Sequence, residues 1–109
     1  MKSLMIDDQP EGKIYDMGLE GSDMVIAKTV AEGIALLDQS PQFSTVYLDC
    51  RLPDGTHRDV LDWLSDHLDK VPMEIRSCSF ATFPDFYPRV YTLLKIAERL
   101  QKDCRKDPV

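Results

Sequence analysis

Long apolar runs are missing from this sequence. The longest, such as Met24-Val25-Ile26-Ala27, are only a few residues, far short of the length that spans a bilayer, and the N-terminus has no apolar signal core. A cytoplasmic location is the expectation that follows. Cysteine is scarce: Cys50, Cys78 and Cys104 are an odd number without metal-type spacing, which argues against a disulfide framework or a zinc site and for reduced thiols. Excess positive charge is also lacking. Thirteen basic residues face nineteen acidic ones, a net charge of −6, so binding to a nucleic-acid backbone is disfavoured. There is no internal repeat and no low-complexity stretch.

What remains is ordinary globular composition, 43% hydrophobic and 29% charged over 109 residues, enough for one domain with one core. Ser3-Leu4-Met5-Ile6 reads as a central strand running into Asp7-Asp8. From Gln9 to Asp23 the chain is punctuated by Pro10, Gly12, Gly18 and Gly21, which predicts a loop or a single turn, with Ile14, Tyr15, Met17 and Leu19 covering the sheet. Met24–Ala27 is a second strand. Thr29-Val30-Ala31-Glu32 is a capping box opening a helix with Val30, Ile34 and Leu37 inward, which stops near Ser40-Pro41.

Thr45–Leu48 is a third strand ending at Asp49, followed by a turn at Leu52-Pro53-Asp54-Gly55. Val60, Leu61, Leu64 and Leu68 mark a second helix, closed by Lys70 and Pro72. Met73–Arg76 is a weaker fourth strand ending at Ser77-Cys78-Ser79. Asp85 is expected to cap a last helix with Val90, Leu93, Leu94, Ala97 and Leu100 buried and Ile96 at the edge. The organisation expected is a domain over 1–101 and a charged, frayed tail over 102–109.

Strands alternating with helices predict a parallel α/β sheet with right-handed crossovers. In such sheets ligands bind beyond the carboxyl ends of the strands, where strand order reverses. In the flavodoxin-like order 2-1-3-4 that point lies between strands 1 and 3. Asp7, Asp8 and Asp49 therefore meet in one crevice. Clustered carboxylates repel unless a cation intervenes, and a hard divalent ion such as Mg²⁺ suits them.

These residues, with the Leu52–Gly55 turn and Ser77, resemble the receiver domains of two-component response regulators. The resemblance implies that Asp7, Asp8 and Asp49 hold Mg²⁺. It further implies that Asp49 accepts a phosphoryl group as a carboxylate nucleophile and that Ser77 senses it. The chain has no room for the family's fifth strand, its terminal Lys or its fifth helix. Over nearly its whole length the chain is similar to a compact receiver-like family often carried by phages, the cyclic-phosphate-processing receiver domains. This family also has a short loop after strand 1 and a helix start like Lys28-Thr29. That likeness implies a host-cytoplasm setting. The matching positions are Asp7, Asp8, Pro10, Asp49 and Ser77. The departures are Gln9 beside the acidic pair, Cys50 and Arg76 at the family's histidines, and Arg51 at an aspartate.

Arg51 and Arg76 are read either as a phosphate clamp or as partners of the aspartates in place of a metal. Cys50 and Cys78 are read as buried thiols, with a redox pair as the other possibility. His57 is placed in a solvated loop from which it could act as a substitute acid or base. His67 complements a helix dipole. Phe80, Phe83, Phe86, Tyr87 and Tyr91 form either an interaction patch or a plug for the core. Glu74, Arg76 and Pro72 blunt the fourth strand as an edge, so association as a homodimer is expected to use the aromatics and the last helix; a monomer is the other expectation. Gln9, Cys50, Arg51 and Arg76 are the candidate ligand-binding residues, and Asp49, Ser77 and His57 the candidate catalytic ones.

Three functions follow. The first is a degenerate receiver-like module that binds a protein partner or a phosphate-bearing ligand without turnover, favoured by the lost histidines and missing Lys. The second is metal-dependent processing of a phosphoester, such as a nucleotide or RNA cyclic phosphate, favoured by the retained aspartates. The third is a phosphoacceptor switch on Asp49.

Overall fold

A computed structural model of the protein describes residues 2–39 and 43–105, without the side chains of 101–105. Four parallel strands form the main sheet: β1 (Ser3–Ile6), β2 (Met24–Ala27), β3 (Thr45–Leu48) and β6 (Glu74–Ser77), in the order β2-β1-β3-β6. A short antiparallel hairpin, β4 (Arg51–Leu52) with β5 (Gly55–Thr56), follows β3. The helices are α1 (Pro10–Asp16), α2 (Val30–Gln39), α3 (His57–Ser65) and α4 (Phe86–Arg105). The expected strand order is therefore present, with the hairpin as an addition.

Alternation along the strands sends Leu4, Ile6, Val46, Leu48 and Ile75 to one face, where they form a core with Val30, Leu37, Val60, Leu61, Leu64, Phe86, Val90 and Leu93. α2 lies close to β1 because residue 33 is glycine: a Cβ there would stand 2.6 Å from Cδ1 of the fully buried Ile6. The capping box of α2 is present in part, with the Glu32 amide donating to Thr29 Oγ1 at 3.0 Å and the Lys28 amide to Glu32 Oε2 at 3.0 Å. The next two amides, of Val30 and Ala31, donate to the carboxylate of Asp54 at 2.7 and 3.0 Å. The hairpin turn thus caps a helix 24 residues earlier in the chain, and these amides hold the Asp54 carboxyl below its ordinary pKa.

Several expectations are corrected. The segment after Asp8 is not a loop but a seven-residue helix. Pro10 occupies its first turn, where the missing amide costs nothing, and Gly12 is tolerated inside it. Tyr15 and Met17 are exposed rather than laid on the sheet. α3 ends at Ser65, and Leu68 belongs to a separate 3-10 turn, Leu68–Lys70. The fourth strand of the main sheet starts one residue later than expected. Leu100 is 44% exposed and leaves the buried stripe of α4. That helix continues to Arg105, through the first residues of the expected tail. The stop at Ser40-Pro41 and residues 106–109 lie outside the described residues, as does the side chain of Cys104. No helix among the described residues is long and apolar enough to cross a membrane.

Candidate functional site

β1 and β3 are adjacent and in register, Ile6 beside Leu48, so the residues after them emerge side by side. Asp7, Asp8 and Asp49 each offer an oxygen within 4.8 Å of the others. Asp7 is fully buried, Asp49 nearly so, and Asp8 is exposed. They line a cavity of about 450 Å³ together with Gln9, Lys13, Cys50, Arg51, Ser79, Phe80, Ala81 and Phe83.

The cation that the carboxylates require comes from α1. Lys13 Nζ donates to Asp7 Oδ2 at 2.7 Å and stands 3.9 Å from Asp49 Oδ2. Burial pulls the Lys13 pKa down, but the hydrogen bond to Asp7 and the charges of Asp49 and Asp7 outweigh it, so the ammonium titrates above an ordinary lysine. The Phe80 ring covers the ammonium at 4.7 Å. Asp7 Oδ1 accepts the Gln9 amide at 2.8 Å, and Oδ2 also accepts the Cys78 thiol at 3.4 Å. Burial, then the negative charge of Asp7, pushes the Cys78 thiol far up, so it stays protonated.

Asp49 Oδ1 accepts the hydroxyl of Ser79 at 2.6 Å and the Arg51 amide at 3.5 Å. Ser79 Oγ in turn accepts the Cys50 amide at 2.6 Å. Asp49 is thus flanked by a hydroxyl on one oxygen and an ammonium near the other.

Gln9, Cys50 and Arg51 stand at this cavity as expected, with Arg51 over the Phe83 ring at 5.3 Å. Three expected residues do not. Ser77 hydrogen-bonds Thr82 Oγ1 at 2.7 Å, outside the cavity lining. Ser77 is the last residue of β6, and the hydroxyl that reaches Asp49 is that of Ser79, two residues further on. Arg76 lies in β6 itself, 57% exposed, paired with Glu74 at 3.0 Å. It is in register with Tyr47, inside the sheet, and alternation puts it on the face opposite the core residue Ile75.

His57 is neither in a loop nor solvated. Thr56 and Asp59 form a full capping box that makes His57 the first residue of α3, where it is fully buried between Phe83 and Phe86. Its Nε2 is 3.1 Å from Asp85 Oδ2, and its Nδ1 is buried with no hydrogen-bond partner among the described residues. Asp85, expected to cap α4, is instead gripped by Arg58 at 2.8 and 2.9 Å and by Arg89 at 3.2 Å. Arg58 above all, with His57, draws the Asp85 carboxyl down to about 2.

The thiols of Cys50 and Cys78 are both free. That of Cys50 accepts the Phe83 amide at 3.4 Å, while that of Cys78 faces Asp7. His67 Nδ1 lies 2.8 Å from the Trp63 carbonyl at the end of α3, its ring stacked on the indole. The aromatic cluster divides. Phe86 is core and Phe83 packs half-buried against it, whereas Phe80, Tyr87 and Tyr91 are exposed.

Lys13 and Ser79 are the residues that sequence reasoning missed. The signal for Lys13 was Pro10: a helix starting there places residues 10 and 13 on one face, and both are buried.

A four-stranded parallel sheet with acidic residues at the switch point defines the receiver-like flavodoxin class of fold. Solved structures agree. The MaeR response regulator bound to beryllium trifluoride superposes with a TM-score of 0.62 at 22% identity, covering 98% of this chain and 99% of that one. The signal receiver domain of a protein described as a Luxo repressor, from Vibrio parahaemolyticus, gives 0.53 at 20%, covering 98% of each. The non-phosphorylated HemR receiver domain from Leptospira biflexa gives 0.51 at 19%, covering 85% of this chain and 93% of that one. No family model matches the sequence, and no curated protein matches it.

Proposed function

We propose that this chain is a receiver-like module in which Asp49 accepts a phosphoryl group and the phosphorylation state governs partner binding. The observation that carries this reading is the flanking of Asp49 by Lys13 and Ser79. An ammonium stands beside Asp49, delivered from α1.

Three carboxylates face two cationic side chains, Lys13 and Arg51, in the cavity. One net negative charge remains, which repels a bare phosphate dianion. The donor set suits a hard divalent ion: Asp7, Asp8 and Asp49 would hold it, and its charge would offset theirs and attract phosphate oxygens. The residues then have separate tasks. An Asp49 oxygen forms the bond to phosphorus while the bond from phosphorus to the donor's leaving group breaks, and the leaving group departs with the electron pair. Lys13 exchanges part of its contact with Asp7 for a phosphoryl oxygen. The Ser79 hydroxyl, released from Asp49 Oδ1, donates to another.

A second reading rests on the 2.7 Å contact between Lys13 and Asp7. Here Lys13 stands permanently in the place of a metal and the module binds its partner in one fixed state. Turnover of a cyclic phosphate, the activity implied by the compact phage-borne family, would need an acid or base, and His57 is buried away from the cavity.

Incubation with acetyl phosphate and Mg²⁺, read by intact mass, separates the readings. A gain of one phosphoryl group, lost in Asp49→Asn, is expected. No gain in a folded protein, with or without Mg²⁺, overturns the switch in favour of the fixed module.

A further inference from the structure

We infer that two copies of this chain pair through the edge strand β6, antiparallel, about a two-fold axis at Ile75. The two sheets of four strands become one continuous sheet.

Among the described residues β6 has a strand neighbour on one side, β3. The Glu74 amide donates to Ser44 O and the Cys78 amide to Leu48 O, so even-numbered residues turn their backbone toward β3. Odd-numbered residues turn theirs outward. Ser77 confirms the parity: its outward amide donates to the hydroxyl of exposed Tyr87 at 3.3 Å, a long bond that the carbonyl of Met73 in the second copy replaces on pairing. The amide and carbonyl of Ile75 therefore point off the sheet. Such a residue at a two-fold axis exchanges both hydrogen bonds with its own copy.

The side chains fit this register. With Ile75 opposite Ile75, Glu74 of one copy faces Arg76 of the other, and the reverse. Both fall at non-hydrogen-bonded positions, where opposed residues come closest and cross-strand pairs interact most. Glu74 and Arg76 are exposed and already paired within the chain at 3.0 Å. Dimerisation joins two such pairs into one row of alternating sign. Charges on an edge strand deter an arbitrary partner strand, but this pair complements its own copy.

Apolar area runs beside the edge. The hydroxyl of Tyr87 fixes that residue at the C-terminal end of β6. Tyr91 lies one turn further along α4, and Leu94 lines a groove with Met73 at the other end of the strand. Tyr87, Tyr91 and Met73 are 53%, 66% and 78% exposed. The two-fold axis sets two such stripes across from each other. A closed dimer of this kind uses each β6 edge once.

Sedimentation equilibrium of the full chain over a concentration series tests this. A monomer–dimer equilibrium is expected. Glu74→Arg and Arg76→Glu should each weaken dimerisation by about tenfold. The double variant Glu74→Arg/Arg76→Glu should return to within about threefold of the parent, because the reversed charges complement each other again. Both side chains are exposed, so circular dichroism should show all variants folded. Hydrogen exchange gives an independent readout: the Ile75 amide should gain protection as concentration rises. A protein monomeric throughout the series, a dimer indifferent to the single reversals, a double variant no better than the singles, or an Ile75 amide without concentration-dependent protection overturns the inference. A dimer abolished only by Tyr91→Asp would place the interface on α4 alone and also overturn it.

Discussion

Replacing Lys13 by methionine keeps the length of the side chain and removes its charge. The loss falls on Asp7, which is fully buried and keeps, among the described residues, the Gln9 amide at 2.8 Å and the weak Cys78 thiol donor at 3.4 Å. Breaking an enclosed ion pair from one side costs about 3–5 kcal/mol. Here the pocket opens to solvent on the side of exposed Asp8, which reduces the cost, so we expect about 2–3 kcal/mol, at or just below the lower limit of that range. For a domain of this size the corresponding drop in melting temperature is about 10–20 °C.

Two companions make this prediction specific to charge. Asp7→Asn added to Lys13→Met removes the stranded carboxylate and should recover most of the loss. Mg²⁺ should stabilise Lys13→Met more than the parent, because the ammonium no longer competes for the same oxygens. At a hundredfold excess over its dissociation constant an ion returns about 2.7 kcal/mol, enough to restore the parent's melting temperature.

The pH dependence has a definite sign. The folded pKa of Lys13 lies above its unfolded value. Its stabilisation is therefore complete below the ordinary lysine range and is lost as pH rises through the folded pKa. The parent's advantage over Lys13→Met should shrink only at high alkaline pH. Thermal denaturation followed by circular dichroism, with and without Mg²⁺, reads all of this. A drop below about 4 °C, the effect of about 1 kcal/mol or less, or a Mg²⁺ response no larger than the parent's, would refute the view of Lys13 as a resident cation.

Other predictions concern neighbouring parts of the fold. Ser79→Ala should shorten the lifetime or lower the yield of phosphorylated Asp49, with Ser77→Ala close to the parent; the reverse order in the mass assay would move the sensing role back to Ser77. Gly33→Ala should destabilise despite the gain of about 1 kcal/mol that alanine brings to a helix, since its Cβ meets Ile6 at 2.6 Å and overpacking costs about 1–3 kcal/mol; a rise in melting temperature would show that Ile6 yields freely. The Asp54 and Asp85 carboxyls both titrate below their unfolded value near 3.8, so what each contributes is present above that pH and is lost as the pH falls through its folded pKa. Asp54→Ala and Asp85→Asn should thus lower the melting temperature at pH 7 and differ little from the parent near pH 2; an undiminished difference in acid would point to a cause other than charge.

The strands and the acidic cluster were legible because one signal fixes both. A buried parallel strand is a short apolar run, and the residue that ends it stands at the carboxyl edge of the sheet. Ile6 and Leu48 end their runs and pair in register, so Asp7 and Asp49 had nowhere else to go. The same logic failed at the fourth strand of the main sheet, where Glu74 and Arg76 interrupt the run. The strand runs on to Ser77, so Arg76 and Ser77 belong to the sheet and the hydroxyl that reaches Asp49 comes from Ser79, two residues beyond the strand end. His57 was misplaced for a different reason. Thr56 and Asp59 spell a helix start at the spacing of a capping box, and recognising it would have put His57 in the first turn of α3. Lys13 was the hardest to see: its hydrogen-bonded partner Asp7 is only six positions away, but the second carboxylate it serves, Asp49, comes within 3.9 Å only through the β1–β3 pairing. The charge of this pocket therefore depends on a tertiary contact, while its acidic half is written in the ends of two strands. A sequence that shows three carboxylates converging without a cation implies that one is to be found, and the nearest candidate here was the lysine on the helix that begins at Pro10.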